Sequence, residues 1–244
     1  MSLLPPSSSH AGRARRRMCA ARAYALWAES YEREPNPLLA LEQRVMSPML
    51  PPLDDLVVLD AACGAGRWLE YTLARGARAG FGIDLSSEML VRAESKFFLR
   101  SRLIQADCTA MPLTNEAMDL VICSFAAGYM PDLDGLAAEA ARVAKPGGRA
   151  FVSDFHPHGY RRGWKRAFRH RGEVIEIASL EYSVDGLCEA FEAHGLRLSA
   201  RVEPGFGPAE RWIFEQCGKG KAFEDSCGAP AIFVCEFRKR AVDH

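Results

Sequence analysis

Val57-Val58-Leu59-Asp60-Ala61-Ala62-Cys63-Gly64-Ala65-Gly66 decides how this 244-residue chain reads. An apolar run ends in an acid, and a Gly-x-Gly turn follows at once. The residues after it can open a helix, so the stretch reads as strand, tight turn and helix N-terminus, a layout that usually holds a nucleotide-like cofactor. A dinucleotide fingerprint needs a third small residue three places after the second glycine. Leu69 stands there, behind Arg67 and Trp68, so a buried diphosphate is disfavoured. No Gly-Lys-Ser/Thr follows, which removes the P-loop reading. Taken alone, the turn fits an ordinary strand-to-helix connection as well.

Its surroundings narrow the choice. Residues 79–83 form a second apolar run ending in Asp84, placed to accept hydrogen bonds from ribose hydroxyls. A third run, 102–106, ends in Asp107-Cys108, and a fourth, 118–124, ends in Ser124 before Phe125. Lys145-Pro146-Gly147-Gly148 turns into a fifth run at 149–154, and further strands are expected at 196–202 and 231–237. Helical patterns over 67–75, 87–99, 133–143 and 184–194 alternate with these runs, with Ser86 and Asp132 or Asp134 as caps. Strands alternating with helices predict a doubly wound α/β sheet, whose ligands bind beyond the carboxyl ends of the strands. The acids stand at those ends.

Leu59 to Gly66, Gly82-Ile83-Asp84-Leu85-Ser86, Gln105-Ala106-Asp107-Cys108, Met111-Pro112-Leu113 and Arg142 to Gly148 occur in an order and spacing that resembles one family. That family is the class I S-adenosylmethionine-dependent methyltransferases of the ubiquinone/menaquinone-biosynthesis-like (type 11) kind, and the resemblance covers roughly residues 20–200. It implies a Rossmann-like, seven-stranded, mostly parallel sheet with an antiparallel last strand, S-adenosylmethionine as cofactor and a small-molecule acceptor. Asp60, Ala62, Gly64 and Gly66 would line the methionine and ribose portion, and Asp84 would take the ribose hydroxyls. Asp107 would accept from the adenine amino group, and the Cys108 amide would meet a ring nitrogen. Leu85 and Met89 would flank the adenine, while Ser124 and Phe125 would face the methyl. Tyr24 or Tyr31 would reach the cofactor carboxylate, and Arg67 is a further candidate for it.

Helical patterns at 19–31 and 38–49, split by Glu34-Pro35-Asn36-Pro37, make residues 19–52 an expected lid within a single domain of 19–244. Residues 1–18, rich in Pro, Ser and Arg, read as a disordered leader without a signal sequence. Residues 155–183 read as a cap insertion that would set acceptor identity. Within it Trp164 and Phe168 lie four apart, so on a helix they would share a face among arginines, as a dock for an anionic substrate or simply a solvated surface. The same interleaving suits RNA, but the run is short, and 31 basic residues balance 31 acidic ones, which favours a small molecule over nucleic acid.

No apolar stretch is long enough to span a bilayer, and a cytoplasmic enzyme is expected. The 8 cysteines show no metal or disulfide spacing, so no metal site is assigned. Cys19, Cys217 and Cys227 keep open a thiol site for arsenite, the alternative acceptor. A non-catalytic cofactor-binding partner is the alternative outside the enzymes. Methyl transfer needs mostly positioning, with a general base only where the nucleophile carries a proton. Asp154, His156 and His158, beyond the fifth strand, are the candidate bases, and Tyr129 is a further pocket residue.

Overall fold

The structure is a computed structural model describing residues 15–33 and 35–241. It begins with β1 (Arg15–Met18), α1 (Ala20–Trp27) and α2 (Pro37–Met46). The alternating body follows as β2 (Val57–Ala61), α3 (Arg67–Leu73), β3 (Ala79–Asp84), α4 (Ser87–Glu94), β4 (Leu103–Gln105), β5 (Met118–Ser124), α5 (Leu133–Val143) and β6 (Ala144–Phe155). The cap contains α6 (Pro157–Arg161), β7 (Ala167–His170) and β8 (Glu173–Ile177). The chain closes with α7 (Val184–Ala193), β9 (Leu196–Val202), α8 (Pro208–Gln216), α9 (Gly220–Ser226) and β10 (Ile232–Lys239).

Seven strands form one sheet in the order β4-β3-β2-β5-β6-β10-β9. Only β10 runs antiparallel to its neighbours, inserted between β6 and β9. Alternate residues on each strand serve opposite faces. Val121 and Cys123 of β5 pack under α5 and α7, with Leu136, Ala140, Leu187 and Phe191. Leu120 and Ile122 face the other layer, where α2, α8 and α9 bring Leu38, Leu41, Phe214 and Phe223. α5 forms where the sequence placed it, because Leu133, Leu136, Ala137 and Ala140 share one face and the Asp132 carboxylate accepts from the Gly135 amide at 2.8 Å. The Lys145-Pro146-Gly147-Gly148 turn is looped out of register: Met118 pairs with Ala144 and Leu120 with Arg149.

Three sequence expectations change. Residues 15–18, assigned to a disordered leader, are a strand that pairs in parallel with β8, so β1, β8 and β7 form a second, three-stranded sheet. The rest of the leader lies outside the described residues. Trp164 and Phe168 do not share a helix face, because Phe168 belongs to a strand. Trp164 packs toward Phe155 and Phe206, while Phe168 stacks on Trp27 of α1 with ring centroids 4.7 Å apart and planes 5° apart. Between the strands expected at 196–202 and 231–237, where the sequence assigned no element, the chain forms α8 and α9.

The small sheet and α1 share one apolar cluster of Met18, Ala23, Trp27, Phe168, Ile175 and Ile177. The N-terminal lid and the cap insertion are therefore one packed unit over the carboxyl edge of the large sheet. Trp27→Ala removes the ring stack, an interaction worth ~0.5–1.5 kcal/mol beyond its buried area. Amide exchange should accelerate together in residues 15–30 and 167–177, while β5 and β6 stay protected. Acceleration confined to α1 would show that lid and cap are independent.

Candidate active site

A cavity of about 450 Å³ opens at the carboxyl edge of the large sheet. Asp60, Ala62 and Gly64 line it at the end of β2 and just beyond, Asp84, Leu85 and Met89 at the end of β3 and beyond, and Asp107 and Cys108 after β4. Ser124 and Phe125 line it after β5, and Tyr24 and Tyr31 close it from the lid. Gly66 is absent from the wall. Its backbone is left-handed, φ 77°, and a Cβ there would lie 2.3 Å from Leu99 Cδ1. That glycine lets the start of α3 pack against the turn after α4.

The acids are fixed by backbone donors. Asp60 Oδ2 accepts from the Leu69 amide at 2.9 Å, so the position that argues against a dinucleotide turn supplies the donor for the strand-end acid. Burial pushes the Asp60 carboxyl from 3.8 up to about 7, against the opposing pull of that amide and of Arg67. Asp84 Oδ2 accepts from the Gly64 amide at 2.7 Å and Oδ1 from the Ser86 amide at 2.8 Å. Burial raises its pKa too. A carboxylate has about four acceptor positions, so two bonds leave capacity for a ligand. Asp107 Oδ1 accepts from both the amide and the hydroxyl of Thr109 at 2.8 Å. Ala62 and Phe125, both non-glycine, have left-handed φ of 57° and 53°, conformations that concentrate at functional sites.

Two residues that the sequence did not single out belong to the site's framework. Glu42 of α2 is 0% exposed, and its carboxylate accepts from Arg67, Trp68, Ser124 and Ser153. Arg166 of the cap, 2% exposed, pairs with Asp154 and lies over the Tyr129 ring at 4.6 Å. The signal for Glu42 was a charge on the apolar face of a helix, four residues from both Leu38 and Met46. Arg166 was hidden in an arginine-rich run that reads as surface.

The structure separates the candidate bases from the cavity. Asp154 is 3% exposed, and its oxygens accept from the Gly128 and Phe155 amides at 2.6 Å as well as from Arg166. His156 Nδ1 accepts from the His158 amide at 3.0 Å, which leaves the proton on Nε2, 2.9 Å from Glu203. His158 does not line the cavity either, and burial with Arg162 and Arg161 lowers its pKa. All three belong to the strand end and the turn at Pro157. The thiols expected for arsenite are not brought together: Cys19 lines the cavity, while Cys217 and Cys227 end α8 and α9 away from it. Among the described residues no cluster of three or more His, Cys, Asp or Glu could hold a metal ion.

Residues 58–148 match the family model described as a methyltransferase domain. The ubiquinone/menaquinone biosynthesis C-methyltransferase of Syntrophotalea carbinolica is 34% identical over 161 residues, 61% of this chain and 68% of that protein. The chain belongs to the class I S-adenosylmethionine-dependent methyltransferases. Its cofactor is accordingly S-adenosylmethionine. The malonyl-[acyl-carrier protein] O-methyltransferase of Pectobacterium atrosepticum is 28% identical over 61% of this chain, which spans 58% of that relative. An S-adenosylmethionine-dependent methyltransferase from Mesorhizobium loti superposes with TM-score 0.64 at 21% identity, covering 84% of this chain and 100% of that one. A [4+2]-cyclase shares the fold as well, with TM-score 0.63, 16% identity and coverage of 91% and 96%, so architecture by itself does not select methyl transfer. Among the described residues no helix is long and apolar enough to cross a membrane.

Arg166→Met would leave the Asp154 charge buried without its partner. Urea unfolding should show a loss of about 3–5 kcal/mol. His156→Gln, remote from the cavity wall, should leave kcat/KM for methyl transfer unchanged; a large drop in kcat alone would restore His156 as a base.

Proposed function

We propose that the cavity holds S-adenosylmethionine along β2, β3 and β4 and passes its methyl to the oxygen or carbon of a small molecule admitted beside the lid. The observation that carries this reading is the convergence of three strand-end acids, Asp60, Asp84 and Asp107, on one cavity. The fit is specific at two further atoms. Arg67 Nη1 is buried without a hydrogen-bond partner, and Arg67 lines the cavity, so a ligand carboxylate satisfies it. Asp107 binds Thr109 through Oδ1, leaving Oδ2 for the adenine amino group. Asp84 takes the ribose hydroxyls, Leu85 and Met89 flank the base, the Cys108 amide meets a ring nitrogen, and the Gly64 turn faces the methionine chain.

When bound, the cofactor would supply an electrophilic methyl on a sulfonium, whose sulfur takes the electron pair of the broken C–S bond and departs as a neutral thioether. The protein's part is to hold the acceptor in line and keep water out. Tyr24, Phe125, Tyr129 and Met130 give the acceptor side of the cavity aromatic and apolar walls. Tyr24 and Tyr129 hydroxyls meet at 3.2 Å, and burial raises the Tyr24 pKa well above its ordinary value, so this pair orients a substrate rather than deprotonating it. The absence of histidine from the described wall favours acceptors that are already anionic or carbon-activated. Relatives named as C- and O-methyltransferases accord with either nucleophile.

Two measurements test this reading. Asp84→Ala removes two charge-assisted hydrogen bonds, worth about 1.5–3 kcal/mol each at most. Calorimetry should show S-adenosylmethionine affinity reduced by about two to four orders of magnitude, and an unchanged affinity would place the cofactor elsewhere. The second is pH. Folded Asp60, raised to about 7, keeps a proton that the unfolded chain has lost, so its contribution to stability is present in acid and disappears as pH rises through about 7. The cationic cofactor favours the ionised carboxylate, so binding expels that proton below neutrality. Affinity should therefore rise as pH goes from about 5 to about 7 and then level, with Asp60→Asn flattening the profile.

A further inference from the structure

We propose that Glu42 is a positioning residue for the cofactor carboxylate, acting from behind the cavity wall through Arg67; this rests on the assignment of Arg67 Nη1 given above. Glu42 does not line the cavity, but three of its hydrogen-bond donors, Arg67, Trp68 and Ser124, do. Its two oxygens divide the work. Oε2 takes Arg67 Nη2 and Trp68 Nε1, the latter at 3.1 Å. Oε1 takes the hydroxyls of Ser124, at 2.7 Å, and Ser153. Four donors leave no capacity for a substrate proton, so the carboxylate serves geometry and charge rather than base catalysis.

The consequence falls on Arg67. Nη2 is gripped twice, by Glu42 and by Ser124 Oγ at 3.1 Å, and the guanidinium lies 4.8 Å from the Trp68 ring centroid. A planar guanidinium held at one terminal nitrogen and against a ring has its other nitrogen's direction set. That other nitrogen is the unpartnered Nη1. Glu42 also neutralises the guanidinium before any ligand arrives, so the donor stays in the partly buried wall and does not swing to solvent. The carboxylate itself is carried by α2, and α2 is held to α8 by a two-pronged Arg44–Glu210 pair at 2.7 and 3.1 Å. This helix, expected as part of the lid, is in this respect a fixed wall that sets one cofactor contact.

The test separates a carboxylate-specific role from a general loss of structure. Four proteins are compared: the wild type, Glu42→Gln, Arg67→Ala and the double variant that combines the two substitutions. Each is titrated calorimetrically with S-adenosylhomocysteine, which carries the amino-acid carboxylate, and with 5′-methylthioadenosine, which lacks it. Glu42→Gln should weaken S-adenosylhomocysteine about tenfold or more and leave 5′-methylthioadenosine unchanged. In the Arg67→Ala background Glu42→Gln should have no further effect on S-adenosylhomocysteine. Equal weakening of both ligands, or additive losses in the double variant, would overturn the proposal. So would an unchanged S-adenosylhomocysteine affinity in Glu42→Gln. If Glu42→Gln does not fold, Arg67→Ala alone decides: equal loss of both ligands overturns the assignment. Failure of both ligands to bind the wild type would instead overturn the cofactor site itself.

Discussion

A carboxylate taken out of water must find its donors in a neighbouring element, and at the carboxyl edge of this sheet that requirement links everything else. Asp60 at the end of β2 reaches the Leu69 amide inside α3. Asp84 at the end of β3 reaches the Gly64 amide in the loop after β2. Asp154 near the end of β6 reaches the Gly128 amide after β5 and the guanidinium of Arg166 in the cap. Glu42 extends the same logic to α2. Losing one partner of such a pair leaves a buried charge uncompensated, which is more damaging than losing an exposed ion pair.

These tethers also hold conformations that the chain would not choose alone. Ala62 and Phe125 are left-handed, at a cost of order 1–3 kcal/mol each. The Cys63 amide donates to Ile83 and the Phe125 amide to Ser153, both at 2.9 Å, so each strained residue sits beside a backbone bond to the adjacent strand. The result is a rigid floor for the cavity. Its roof is different in kind: α1 and the small sheet meet through apolar and aromatic packing, with Trp27 on Phe168 at the centre. Polar cross-links thus hold the floor of the cavity, while apolar packing holds its roof.

Much of the fold was legible because local patterns and tertiary burial agree. β5, β9 and α5 lie where their periodicity placed them. Strand-end acids were legible because an apolar run closing in Asp is a local feature. Charges inside apolar or basic runs were not. Glu42 shows only as a charge on the apolar face of a helix, and Arg166 as one arginine among many, and neither names its partner until the fold brings residue and partner together. β1 has no apolar signature, since three of its four residues are arginines; its order comes from pairing with β8 across a long stretch of chain. Trp164 and Phe168 carry helical spacing, but Trp164 sits in the turn after α6, its amide bonded back to Gly159, while Phe168 lies in a strand that stacks it on Trp27.

The sequence by itself determined the alternation of strands and helices, the acids at the strand ends, the glycine turn and the family, since all of these are written in residues close together along the chain. Tertiary structure decided which of the acids and bases share a cavity. It turned Asp154 and His156 inward to Arg166 and Glu203, brought Tyr24 to Tyr129, and set Glu42 behind Arg67. Those outcomes depend on how buried charges pair between elements far apart in sequence, and no local pattern encodes a pairing.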